Sequence, residues 1–214
     1  MHSHKALVVC AGMPRSGSTW LYNVIRCLLK QAGKDVYGAW IGNYNPSNPS
    51  KTHIVKIHDF SEELAKKGDL IFTSRRDLRD IATSLMLRSW ANQSDIVSKL
   101  NRIIESHQKW FDCSTYELIY ERMIESKLKE VKALSEVLCL DLSSDSIQLA
   151  LDRVESFKHE GEGLFDSESL LHKNHIQNGK PGHYQNILTE AITERINIEF
   201  KEWMSQYNYS YSIL

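Results

Sequence analysis

The sequence predicts an α/β fold, with a central and mostly parallel sheet flanked by helices. Two observations carry that reading. Through roughly the first 120 residues, short β-branched apolar runs alternate with stretches of helical periodicity. The first of those runs also leads through a two-glycine loop into a helix, the usual opening of a parallel nucleotide-binding sheet. The 214 residues suffice for one domain, 1–214, with a full hydrophobic core.

Each element follows from its own pattern. Ala6–Cys10 is a buried strand by composition. The helix after the loop repeats Trp20, Leu21, Val24, Ile25, Leu28 and Leu29 on one face and stops at Gly33. Val36–Ile41 forms a second strand, followed by an Asn-, Pro- and Ser-rich loop from Gly42 to Lys51. Thr52–His58 reads as a strand, Ser61–Lys67 as a helix and Leu70–Ser74 as another buried strand. Arg75–Asp80 opens a helix, and a longer one runs from Ser94 to Phe111. A strand at Tyr116–Tyr120 precedes helices over 124–138 and 146–157. The stretch from Lys158 to Asn186 lacks periodicity, and a last helix spans 189–207.

Composition bounds the partners. Hydrophobic residues make up 42% and charged residues 25%, as in soluble globular domains. A net charge of −1 gives no sign of bulk binding to nucleic acid or membrane, so any anion site is local. The four cysteines form no C-x-x-C pair, and the nine histidines show no metal-ligand spacing. Cys10 and Cys27 sit in apolar patterns and read as core thiols. No leader pattern and no membrane-length apolar run stand out, so the expected compartment is cytoplasmic.

The loop Gly12-Met13-Pro14-Arg15-Ser16-Gly17-Ser18-Thr19 nearly matches the triphosphate-binding pattern G-x-x-x-x-G-K-[ST]. Ser18 stands where that pattern needs its lysine, and the positive charge sits earlier, at Arg15. That exchange favours a single phosphate-like group in the cradle over a triphosphate. Two further groups fall at strand ends, where ligands of parallel sheets bind. One is Lys56 with His58, two apart and so on one face of a strand. The other is Arg76 with Ser84.

Pro14-Arg15-Ser16-Gly17-Ser18-Thr19-Trp20 resembles the 5′-phosphosulfate loop of sulfotransferases that use 3′-phosphoadenosine 5′-phosphosulfate (PAPS). Arg76 to Ser84 resembles the family's 3′-phosphate motif, R-[NDS]-P-x-D-x-x-x-S, with Leu78 replacing the proline. Lys56-Ile57-His58 resembles its K-[TS]-H, and Tyr120-Glu121 its Y-E-D, with Arg122 for the aspartate. Asn178-Gly179-Lys180-Pro181-Gly182 resembles the segment that closes over the nucleotide, with Gln177 and Asn178 in place of its Arg-Lys pair.

The resemblance implies a sulfotransferase with a P-loop-like fold that moves a sulfuryl group from PAPS to a hydroxyl or amine on a small acceptor. It implies no metal. His58 would be the general base, and Lys56 and Arg15 would assist transfer. Arg15, Ser16, Gly17, Ser18 and Thr19 would hold the 5′ group, and Trp20 would stack on adenine. Arg76, Ser84, Tyr120, Asn178, Gly179 and Lys180 would complete the donor site, which the product adenosine 3′,5′-bisphosphate (PAP) would share. Two rivals are a P-loop kinase of a small metabolite and a nucleotide-binding module without catalysis. The kinase needs a cradle lysine and a strand-end aspartate, and the sequence offers neither at those places.

Overall fold

A computed structural model describes residues 5–159, 162–173 and 179–209. Five strands form one parallel sheet: β1 (Ala6–Cys10), β2 (Val36–Trp40), β3 (Thr52–Lys56), β4 (Leu70–Arg75) and β5 (Tyr116–Ile119), in the order β2-β3-β1-β4-β5. All four pairings are parallel. β1 is central and alternates its faces. Val8 and Cys10 pack on one side beneath α1 (Ser18–Gln31), while Val9 and Ala11 pack on the other with Ile57, Leu64 and Trp110.

Helices cover both faces. On the first, α1 meets α6 (Lys127–Val137) and α7 (Ser144–Ser156). On the second lie α2 (Glu62–Lys67) and α4 (Ile96–Phe111). A further apolar cluster joins α3 (Leu78–Met86) to α4, α8 (Glu190–Glu199) and α9 (Lys201–Gln206).

Several boundaries differ from the sequence expectation. β3 ends at Lys56, so His58 lies beyond the strand. Arg76 precedes its helix, because Asp77 caps α3 by accepting from the Arg79 N–H. The helix expected at 124–138 is divided at Ser126, between a short α5 (Tyr120–Glu125) and α6. The last helix is interrupted at Phe200, whose buried ring belongs to the α3–α8 core. Among the described residues no helix is long and apolar enough to cross a membrane.

Candidate active site

Four of the five strands deliver a polar or aromatic residue at or just past the carboxyl end, and these residues line one cavity of about 1020 Å³. β2 ends on Trp40 and β3 on Lys56, with His58 just beyond. β4 leads into Arg76, and β5 into Tyr120. Between them β1 runs into the glycine loop. Parallel pairing alone brings these five points to one edge.

The loop is sewn down before it turns. Ala11 N–H donates to Phe72 O (2.7 Å) and Met13 N–H to Ser74 O (2.9 Å), which extends the pairing of β1 with β4. Gly12 is required there, since a Cβ would stand 1.9 Å from Ser74 Oγ. The Ser16 hydroxyl reaches Met13 O and both oxygens of Ser74, so it braces the loop and does not face the cavity. Gly17, at φ 80, caps α1 in the left-handed conformation, and Arg15 is left-handed too, at φ 66. The first turn of α1 carries no acidic residue and no side-chain cap. Its N–H groups, which no helix carbonyl reaches, remain for an anion at Gly17, Ser18 and Thr19.

The cations converge on this loop. Arg15 Nε donates to Ser84 Oγ at 2.8 Å, and its guanidinium lies 5.7 Å from the Trp90 ring. Burial, with Arg88 and Arg76 nearby, lowers the Arg15 pKa to about 10. Arg76 donates weakly to Arg15 O (3.4 Å) and Lys180 O (3.3 Å), packs 4.0 Å over Tyr120 and pairs with Asp80 at 3.4 Å. Its Nε is buried without a hydrogen-bond partner. Such a group favours an acceptor-rich ligand. Asp80 also accepts from Gly182 N–H (2.8 Å) and Tyr184 N–H (3.0 Å), and Tyr120 donates to Gly179 O (2.7 Å). The loop at 179–184 is thereby latched over Arg76.

His58 Nδ1 donates to Gly12 O at 2.6 Å. A carbonyl only accepts, so Nδ1 carries the proton and Nε2 presents its lone pair. Lys56 Nζ lies 3.4 Å from that Nε2. Burial, then the Lys56 charge, hold the His58 pKa well below the usual histidine value. Burial likewise brings Lys56 down to about 8. Trp40 packs against both, 5.1 Å from Lys56 Nζ and 5.2 Å from the His58 ring.

Of the residues singled out in the sequence, Arg15, Gly17, Ser18, Thr19, Trp20, Lys56, His58, Arg76, Ser84, Tyr120, Gly179 and Lys180 all line this cavity. Asn178 lies outside the described residues. Trp20 is half-buried at one end, where its Nε1 donates to Glu155 (3.1 Å). Sequence reasoning missed Trp40, Trp90, Phe165 and His172, which line the same space. Trp40 had a signal, its place at a strand's carboxyl end. Trp90 and the 165–172 pair had none.

This architecture is a sulfotransferase fold. The chain superposes on mouse sulfotransferase SULT7A1 complexed with PAP with a TM-score of 0.71 and 14% identity, over 95% of this chain and 86% of that one. Retinol dehydratase in complex with retinol and PAP gives 0.65 at 14% identity, over 94% and 82% of the two chains. The same enzyme with androsterone and inactive cofactor PAP gives 0.64 at 14% identity, over 97% and 83%. No family model matches the sequence, and no curated protein matches it significantly.

Proposed function

We propose that this chain is a single-domain sulfotransferase that transfers a sulfuryl group from PAPS to a hydroxyl or amine of a small acceptor. The observation that carries the reading is the meeting of three cationic stations, Arg15, Lys56 and Arg76, around one cavity beside a neutral histidine. The helix N-terminus with Arg15 suits the 5′-phosphosulfate. Arg76, with its unpartnered Nε, suits a second phosphate at the 3′ position. The comparisons support the donor, since PAP is bound in all three similar structures, and the two of retinol dehydratase also hold retinol or androsterone.

In the proposed reaction the acceptor oxygen attacks sulfur in line with the bridging oxygen of PAPS. The new S–O bond forms as the bridge S–O bond breaks, and PAP leaves with that electron pair. His58 Nε2 takes the acceptor proton. At rest Lys56 faces the lone pair of that nitrogen. The donor's sulfonate would draw the ammonium away, freeing Nε2 and placing a cation at the transferring group. Arg15, Lys56 and the loop N–H groups supply the electrostatics, so the chemistry asks for no metal.

The kinase reading is weaker because Ser18 occupies the lysine position and β4 ends in Ser74-Arg75 without an aspartate. A thermal-shift series decides between them. PAP and PAPS should raise the melting temperature without metal, while ATP·Mg²⁺ and GTP·Mg²⁺ should not. A shift with ATP·Mg²⁺ and none with PAP overturns the proposal.

A further inference from the structure

On the acceptor side the cavity is walled by a short hairpin, closed by a single antiparallel bridge between Phe165 and His172. Its tip is tightly built. The Asp166 carboxylate accepts from the N–H groups of Glu168 and Ser169 and from the Ser169 hydroxyl. Leu170 is held at φ 56, which a branched side chain adopts only when its surroundings fix it. The arms hold Leu164, Phe165, Leu171 and His172 against the cavity. Leu164 is 79% exposed, and His172 sits 5.7 Å from the Trp90 ring. Leu170, buried in the main core, and Phe165, packed against that core, give the hairpin an apolar footing.

What fixes their position on that footing is the buried polar face of α1. Arg26, 4% exposed, donates to Glu168 O (2.6 Å), to Glu168 Oε1 (2.6 Å) and to Asn23 Oδ1 (2.8 Å). Asn23, 2% exposed, donates to Ser169 O (2.8 Å) and to Thr19 O (3.0 Å). Lys30 adds a contact to Glu168 at 2.8 Å. Burying an arginine and an asparagine in a helix is costly unless each group is satisfied. Here directional bonds fix the hairpin at one height, which an apolar contact would not do.

We propose that Asn23 and Arg26 are positioning residues that set acceptor selection. They seat the 164–172 hairpin as the acceptor wall on the helix whose first turn faces the donor. The inference rests on the sulfotransferase reading for the wall's purpose, and on the hydrogen bonds from α1 for its placement. It is separable from a general packing role at Arg26 and Glu168, which lie outside the cavity lining, whereas Asn23 also bonds Thr19 O at the donor end.

The test uses Glu168→Ala, which removes an exposed carboxylate outside the core, and Arg26→Lys, which keeps charge but gives up the two-pronged grip. Glu168→Gln, which still accepts from Arg26, is the rescue. Amide exchange is followed over 164–172, PAP affinity by calorimetry, and binding of phenol and naphthol to the PAP-loaded chain. The hairpin amides should exchange about tenfold faster in the first two variants. The naphthol-to-phenol affinity ratio should move by about tenfold, with PAP affinity held within about twofold. Glu168→Gln should restore wild-type values. Unchanged hairpin exchange or an unchanged ratio in both variants overturns the inference, as does an equal loss of PAP affinity. A wild-type chain that binds no PAP overturns the donor reading instead, and amide exchange still decides whether the clamp holds.

Discussion

Arg15 Nε donates to Ser84 Oγ at 2.8 Å, joining the glycine loop to α3 across 69 residues of sequence. The serine that the motif reserves for a 3′-phosphate thus also orients the arginine assigned to the 5′ group. Arg15→Ala should weaken PAP binding by about ten- to a hundredfold, the worth of one charge-assisted contact of about 1.5–3 kcal/mol. Arg15→Lys should recover much of that but lose the bond to Ser84. Ser84→Ala should therefore cost less in the Arg15→Lys background than in wild type. Additive losses by calorimetry would show that the two side chains act independently.

The second phosphate is tested by subtraction. PAP should bind without metal and more tightly than AMP, and Arg76→Ala should erase most of that difference. Equal PAP and AMP affinities in the wild-type chain would remove Arg76 from the donor site.

His58→Ala should lower turnover by about 10²–10⁴-fold and leave PAP affinity nearly unchanged, because Nε2 faces Lys56 and the cavity while Nδ1 is spent on Gly12 O. Near-normal turnover with a working acceptor would send the search for a base elsewhere.

The pH profile follows from two displaced groups. Burial lowers Lys56 to about 8, so the ammonium is present below that pH and is lost as pH rises through it. kcat/KM should fall above about pH 8. The corresponding limb of kcat should lie higher, because a bound sulfonate favours the charged form. Burial and then the Lys56 charge lower His58. Lys56→Met should thus raise the His58 pKa, read from its imidazole proton signals. A His58 titration unmoved by Lys56→Met would show that the two side chains do not interact in solution.

Gly12→Ala should destabilise the fold by about 1–3 kcal/mol, since the added methyl group meets the buried Ser74 hydroxyl. The carbonyl of the same residue orients His58, so activity should fall beyond what the loss of folded protein explains. Activity that tracks the folded fraction, measured by denaturant titration, would separate the two effects.

The five strands and the order of the principal helices were legible because each carries a local signal. β1 is apolar and branched, Gly12 and Gly17 bracket a turn, and α1 repeats its apolar face until Gly33. Interruptions inside the helical patterns were not legible. Phe200 fits a helical face in sequence, and only the apolar cluster it joins stops the helix there. The cavity-lining set was readable where it falls at strand ends and hidden where long-range packing decides it. Ser16 looks like a ligand-facing hydroxyl in the motif, yet Ser74, 58 residues away, turns it inward. The acceptor wall was unreadable, because its position depends on Asn23 and Arg26, which look like solvent-facing breaks in an apolar stripe.

The bonds that complete the cavity span 46 residues from His58 to Gly12, 69 from Arg15 to Ser84 and 104 from Arg76 to Lys180. Each needs the whole intervening chain, so the pocket is closed by contacts of long sequence separation, the last of them to residues 179–184. A fragment ending before residue 179 keeps every strand and still lacks the carbonyls that steady Arg76 and Tyr120. During synthesis the sheet would form before the cavity is complete, since the cavity waits for residues 179–184. Under the proposed function, PAP capture would report that the 179–184 loop has docked.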